Sequence, residues 1–324
     1  MRMNDITCKK GKSVRKAILT GATGFVGKWL VKALLKADVD VTVIVRNKSR
    51  IDTDVLNQIH IYECEYYNYE SLKILVQKYD VFFHLAWEGV ASKDKDNLDI
   101  QKINIDMSVN ALLLAKRLGC KKFIATGTVA EYAYCERIMD FSQKQTPNDI
   151  YAAMKVSVYN ILNVLSRKIG ISFIWTVLPS TFGEGRDNDN IITYTITKLL
   201  RNEKPLYGDL EQLWDFLYVK EVARALWLIG EYGNGDKIYG IGSGQYRQLK
   251  DYIYTIRDII NPDLELGIGE LPQMSHKAYS SCVGIYDLMK DTNFQVEIGF
   301  EQGIKNTIKH YENEMRKKTF INEI

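Results

Sequence analysis

The chain has 324 residues, 46% hydrophobic and 26% charged, a globular composition that excludes collagen-like, low-complexity and disordered architectures. At roughly 100 to 200 residues per domain, this length holds about two domains or one enlarged one. Lysine and arginine number 43 against 40 acids, but residues 1–16 alone carry six basic side chains and one acid, so the remaining body is slightly acidic and offers no basic face for nucleic acid.

Five cysteines, odd in number and without a C-x-x-C pair, and four histidines remote from one another support neither a disulfide framework nor a zinc centre. They fit a reducing compartment. The amino terminus lacks an apolar segment behind its charges, and no run approaches the roughly 18 apolar residues of a membrane span. A cytoplasmic protein with no membrane partner is expected.

From Lys16 short β-branched runs alternate with longer amphipathic stretches: KAILTG, the helical WLVKALLKA, VDVTVIVRN, IHIYECE, a helix over 70–78, and DVFFHLAW. Then come a helix over INIDMSVNALLLAKRLG, the strand KKFIATGT, a helix from Ile150 to Gly170 and the strand ISFIWTVLPS. Strand–helix alternation with nearly continuous apolar strands predicts an α/β fold, a doubly wound parallel sheet of Rossmann type. After Pro179 the rhythm breaks at TFGEGRDNDN. Helices are expected at 191–203 and 248–260, with a strand leading into a helix in DFLYVKEVARALWLIG. The expected division is a basic flexible tail over 1–16, a dinucleotide-binding domain over 17–179, and a smaller C-terminal substrate-binding lobe over 180–324. Residues from about 215 to 243 return to the first domain.

The first strand runs directly into Gly21-Ala22-Thr23-Gly24-Phe25-Val26-Gly27 and a helix. In that context Gly21 permits a tight turn, Gly24 lets backbone N–H groups approach a pyrophosphate, and Gly27 permits close packing of helix on sheet. The second strand ends in Val45-Arg46-Asn47-Lys48-Ser49-Arg50. An acid there bonds a ribose 2′-hydroxyl, whereas an arginine accommodates a 2′-phosphate. NADP(H) is therefore favoured through Arg46, Asn47 and Arg50, with NAD(H) as the alternative.

Tyr151 and Lys155 stand four residues apart in a helical pattern, about 6 Å along one face, so both can enter one cleft. An adjacent ammonium together with a neighbouring cationic nicotinamide is expected to lower the tyrosine toward a pKa useful for acid–base work. The preceding strand delivers the Thr128 hydroxyl to the carboxyl edge of the sheet, where such folds bind ligands.

Glycine turn, Thr128 and Tyr151/Lys155, in this order and spacing, resemble the extended short-chain dehydrogenase/reductase family, of the NAD-dependent epimerase/dehydratase type, which acts largely on nucleotide sugars. The resemblance covers nearly the whole chain from Ala17. It implies that Thr128, Tyr151 and Lys155 are catalytic and that Tyr151 and Lys155 also contact the cofactor, Lys155 at the ribose. It also implies that Leu85, Ala86 and Trp87 after His84 pass under the nicotinamide ribose and that Asn104 supports the site. Glu65 and Tyr66 are implied at the adenine, with Thr126 and Pro179 completing the cofactor contacts. Phe182-Gly183-Glu184-Gly185 resembles the family's tyrosine-glycine-proline-glycine turn and Asn190 the start of its substrate loop. Trp214 stands in place of the arginine that usually binds the diphosphate, and Ser180 in place of an asparagine near the sugar; Arg186 and Arg247 are candidate replacements. Trp87, Thr128, Glu131, Ser180, Asn190 and Trp214 form the expected substrate set, with Cys135 a further candidate.

In this family 4,6-dehydratases carry Asp-Glu directly after the catalytic threonine, whereas here Val129-Ala130 follow. The resemblance and Arg46 together point to a reductase of a nucleotide-linked 4-keto-6-deoxyhexose, with Tyr151 as proton donor. An NAD-dependent nucleotide-sugar 4-epimerase is the alternative, and a catalytically silent dinucleotide-sensing protein a third reading. Apolar residues beyond one face of the helices near 100–118 and 150–168, among them Leu112, Leu113, Leu114, Val158, Ile161 and Leu165, need a partner. By resemblance these helices make a four-helix interface in a homodimer.

Overall fold

A computed structural model describes residues 14–72, 78–135, 138–186, 190–272 and 281–322. Its first half repeats one unit. The apolar run Lys16–Thr20 forms β1, Gly24 caps helix α1 (Phe25–Lys36), and the chain returns through β2 (Asp40–Val45) and β3 (His60–Glu63). The unit then restarts with β4 (Val81–His84), α2 (Leu98–Arg117), β5 (Lys122–Thr128), α3 (Ile150–Ile169) and β6 (Ser172–Leu178).

Further along lie β7 (Ser180–Phe182), α4 (Ile191–Leu200), β8 (Phe216–Tyr218), α5 (Val219–Tyr232) and β9 (Lys237–Gly240). Helices α6 (Leu249–Ile260), α7 (Tyr286–Thr292) and α8 (Phe300–Asn322) follow.

Seven strands form one parallel sheet in the order β9-β6-β5-β4-β1-β2-β3, the doubly wound arrangement anticipated from the alternating pattern. The order reverses between β1 and β4, where Thr20 lies opposite His84 in register. Crossovers from those two strands leave on opposite faces, so their carboxyl ends part into a crevice. Helices α1 and α5 close one face over Leu30, Leu34, Val222 and Leu226, and α2 and α3 the other over Leu112, Ala115, Val158 and Leu162. A third cluster, containing Phe182, Ile196, Tyr252, Phe300 and Ile304, joins β7, α4, α6 and α8 beyond the sheet. There β7 pairs with β8 outside the main sheet.

The helix expected over 70–78 is not seen in its described part. Residues Tyr66–Ser71 form a 3-10 turn instead, and 73–77 lie outside the described residues, as do 1–13 of the basic tail. Tyr69, in that turn, is buried, and Arg117 donates to its carbonyl, so a side chain from α2 takes up the backbone acceptors and a longer helix is not required there. No helix among the described residues is long and apolar enough to cross a membrane.

Gly21 holds φ at +80°, and a Cβ there would lie 2.5 Å from the Ala86 nitrogen and 2.6 Å from the Leu85 carbonyl carbon. A side chain is opposed by both backbone conformation and space. Gly21→Ala is therefore expected to cost about 1–3 kcal/mol, read as a lower urea midpoint at unchanged slope; an unchanged midpoint would show that the β4 loop yields freely.

Candidate active site

Construction of the site begins at the glycine turn. The Gly24 amide donates to the Gly21 carbonyl at 3.0 Å, and a Cβ on Gly27 would meet that same carbonyl oxygen at 2.0 Å, so the turn seats α1 against the sheet. No side chain caps α1, and its first turn holds no acid. Its amino-terminal N–H groups remain suited to an anion, as a dinucleotide pyrophosphate requires. The turn, with Thr23, Phe25 and Val26 at its exit, fits such a group.

Across the crevice, Leu85 extends β4 by donating its amide to the Thr20 carbonyl at 3.1 Å. Buried His84 shares hydrogen bonds with Thr20 Oγ1 at 2.7 Å and Ser108 Oγ at 3.0 Å. Burial pulls it down to about 3, with the nearby Lys155 charge acting in the same direction. His84 is thus a neutral strut. Asn104, fully buried, accepts from the Glu88 amide at 2.7 Å and donates to the Glu88 carbonyl at 3.0 Å, which fixes the loop after β4.

That loop corrects one reading of the sequence. A carboxylate does reach the end of β2: Glu88 Oε2 lies 3.0 Å from Arg46 Nη1, with both side chains about half exposed. It arrives from β4 rather than β2. Nearby, Asn47 accepts from the Ser49 amide and caps a single turn that holds Arg50. Glu65 caps the turn that begins at Tyr66.

Thr128, Tyr151 and Lys155 converge at the carboxyl end of β5. Asp149 caps α3 by accepting from the Ala152 amide at 2.6 Å, and Asp96 accepts from the Ile150 amide at 3.1 Å. Tyr151 is thereby held in the first helical turn. One turn on, the buried Lys155 Nζ donates to the Thr126 carbonyl at 2.7 Å and stands 3.6 Å from the Trp87 ring centre, a cation on an aromatic face. Trp87 meets Tyr151 edge to face and donates its indole N–H to Gln101 at 3.0 Å.

Thr128 Oγ1 accepts from the Ala130 amide, so its own proton is free to donate. Burial raises the Tyr151 pKa well above the ordinary tyrosine value, and a hydrogen bond from Thr128 offsets only part of this. In the protein by itself the direction is therefore upward. Lys155 is lowered by burial while the charge of Glu131 works to raise it.

Other expected substrate contacts fall differently. Glu131 is fully buried behind Thr128 and accepts from the Thr128 amide, Gln145 and the Trp175 indole at 2.7, 3.0 and 3.2 Å. Its carboxylate is turned inward. Cys135 is buried with its thiol toward Gln143. Asn190 is occupied locally, capping α4 through Thr193, and Ser180 opens β7 beyond the buried Pro179. The Trp214 indole nitrogen is buried without a hydrogen-bond partner among the described residues. Arg247 is taken up by Glu301 at 2.6 Å. Arg186 lies nearer the chemistry: its guanidinium carbon is 5.3 Å from the Phe25 ring centre, it donates to the Thr181 carbonyl at 2.8 Å, and Tyr151 lies within its electrostatic reach.

Glu88, Lys95, Asp96, Asp149 and Gln145 escaped the sequence reading. Lys95 Nζ is 5.2 Å from the Tyr151 ring centre, and no motif marks it. Asp149 carries a legible signal, an Asp directly before the helical pattern.

Residues 17–242 match the model of the NAD dependent epimerase/dehydratase family, and the chain belongs to that family, of the extended short-chain dehydrogenase/reductase type. It is similar to a dTDP-glucose 4,6-dehydratase of Salmonella typhimurium, 23% identical over 91% of this chain and 92% of that protein. It is equally similar to a dTDP-4-dehydro-6-deoxyglucose reductase of Escherichia coli, 23% identical over 90% and 96%. Among solved structures, a UDP-N-acetylglucosamine 4-epimerase from Methanobrevibacter ruminantium, in complex with UDP-N-acetylmuramic acid, superposes with a TM-score of 0.82 at 24% identity, over 93% of this chain and 99% of that one.

Proposed function

We propose that this protein is an NADP(H)-dependent reductase of a nucleotide-linked 4-keto-6-deoxyhexose. The observation that carries the reading is the convergence of Thr128, Tyr151 and Lys155 at the carboxyl end of β5. When bound in the crevice, a reduced nicotinamide dinucleotide supplies the hydride. The chain's own part is the proton: Tyr151 gives its hydroxyl proton to the C4 carbonyl oxygen, Thr128 donates a hydrogen bond to that oxygen, and Lys155 stabilises the resulting tyrosinate. A tyrosine held in its protonated form suits donation. Elimination of water needs a further acid and base, yet Val129 and Ala130 follow Thr128 and the inward Glu131 carboxylate is taken up by three donors. Arg186 is the cation we assign to the substrate diphosphate. The related E. coli reductase adds support from similarity.

The alternative, an NAD-dependent nucleotide-sugar 4-epimerase, is favoured by one observation: Glu88 partly neutralises Arg46, and a carboxylate there suits a 2′-hydroxyl. We nevertheless assign the 2′-phosphate to Arg46, with Glu88 giving way. Because that exchanges one half-exposed ion pair for another, the preference is modest. NADPH should bind more tightly than NADH, and Arg46→Ala should reduce the difference by about three- to tenfold in fluorescence titrations. Equal or tighter binding of NADH by the unmodified protein would favour the epimerase.

With NADPH and a panel of nucleotide 4-keto-6-deoxyhexoses, absorbance should report cofactor oxidation. Tyr151→Phe should lower turnover by about 10² to 10⁴ while leaving NADPH affinity within about twofold. Full activity of that variant would place the acid elsewhere.

Of the residues expected to need a partner, Leu112, Leu114 and Val158 are buried within the chain's own core; we also propose a homodimer through α2 and α3, where Leu113 and Ile161, with the further Val164, are 40, 38 and 48% exposed. Apolar side chains clustered on two neighbouring helices favour association. Sedimentation at micromolar concentration should give about twice the 37.3 kDa chain mass, and a monomer would remove the proposal.

A further inference from the structure

The loop between β4 and α2 is clamped on both sides of one residue, Lys95. On the near side Gln101, fully buried on α2, accepts from the Trp87 indole at 3.0 Å and donates to the Gly89 and Asp94 carbonyls at 2.7 and 3.2 Å. Gly89 holds φ at +78°, and a Cβ there would fall 2.6 Å from Gln101 Nε2, so the backbone closes directly on that amide. On the far side the Asp96 carboxylate accepts from the Ile150 amide at 3.1 Å, which ties the loop to the residue before Tyr151. The Asn97 amide donates to the Asp94 carbonyl at 3.1 Å and closes the turn around Lys95. A surface loop has no need of a buried glutamine and a carboxylate from its own chain to fix one lysine. The arrangement holds that lysine against α3.

Lys95 is half-buried, and its Nζ stands 5.2 Å from the Tyr151 ring centre. Lys155, which the four-residue spacing marks, stands 5.9 Å from the same centre. No ion pair takes up Lys95 among the described residues. A cation is attracted to a neutral aromatic face, and more strongly to a phenolate, which bears a full negative charge. The other charged or titratable groups facing Tyr151 are Lys155 and Asp149 on α3, Glu131 after β5 and Arg186 beyond β7. Two of these are bases and two are acids, so Lys95 is the additional cation. We infer that Lys95 is a positioning residue that acts through Tyr151, favouring the tyrosinate left when the phenol proton passes to the substrate carbonyl oxygen. The inference rests on the reading of Tyr151 as the proton donor.

The test places a fluorinated tyrosine, whose phenol is more acidic, at position 151 of the full chain by nonsense suppression and follows its fluorine resonance with pH. Removing a neighbouring cation disfavours the phenolate, so Lys95→Met should raise the midpoint by about half a unit and Lys95→Glu by about one unit, whereas Lys95→Arg should keep the unmodified value. An unchanged or lower midpoint in Lys95→Met would overturn the inference. So would a Lys95→Arg midpoint as high as that of Lys95→Met, since packing rather than charge would then be read. Should the methionine variant fail to fold, Lys95→Gln serves the same comparison. The readout needs no turnover: the expected shift in a protein that reduces no keto-sugar would retain the contact and refute the proposed reaction, and turnover without the shift would retain the reaction and refute the inference.

Discussion

A lysine side chain buried at the end of β5 is the constraint on which the rest of this site depends. An ammonium ion removed from water costs several kcal/mol unless its surroundings replace the lost hydration. Here the replacements come from separate parts of the fold: the Thr126 carbonyl from β5 and the Trp87 face from the loop after β4. Each can be in place only if the sheet order and the α3 register are correct. The same contacts bring Tyr151 beside Thr128, so the chemistry follows from how one cation is accommodated.

The crevice between β1 and β4 supplies the second half. Its walls are close because Gly21 has no side chain to hold the Leu85–Ala86 backbone away, and the loop that follows is clamped by Asn104. Glu88 consequently reaches across to Arg46. The charges at the end of β2 are thus set by two strands at once.

Much of this was legible because it is local. The glycine turn, the alternation of strands and helices, and the four-residue spacing of Tyr151 and Lys155 are carried by consecutive residues. What was hidden depends on distance or burial. Arg46 and Glu88 are 42 residues apart, so the absence of an acid after β2 concealed one arriving from β4. Glu131 resembles a solvent or substrate group until Gln145 and Trp175 are seen to enclose it, although Thr128-x-x-Glu131 has capping-box spacing that could have signalled it.

The central claim is that a carbonyl at C4 of a nucleotide-linked sugar is reduced here. Its most direct measurement uses NADPH deuterated at the transferable position, with mass spectrometry and NMR of the product formed from a nucleotide 4-keto-6-deoxyhexose. The expected product carries one deuterium bound to C4 for each cofactor oxidised. A C4 epimer of an unoxidised sugar nucleotide, formed without deuterium and without net cofactor consumption, would contradict it.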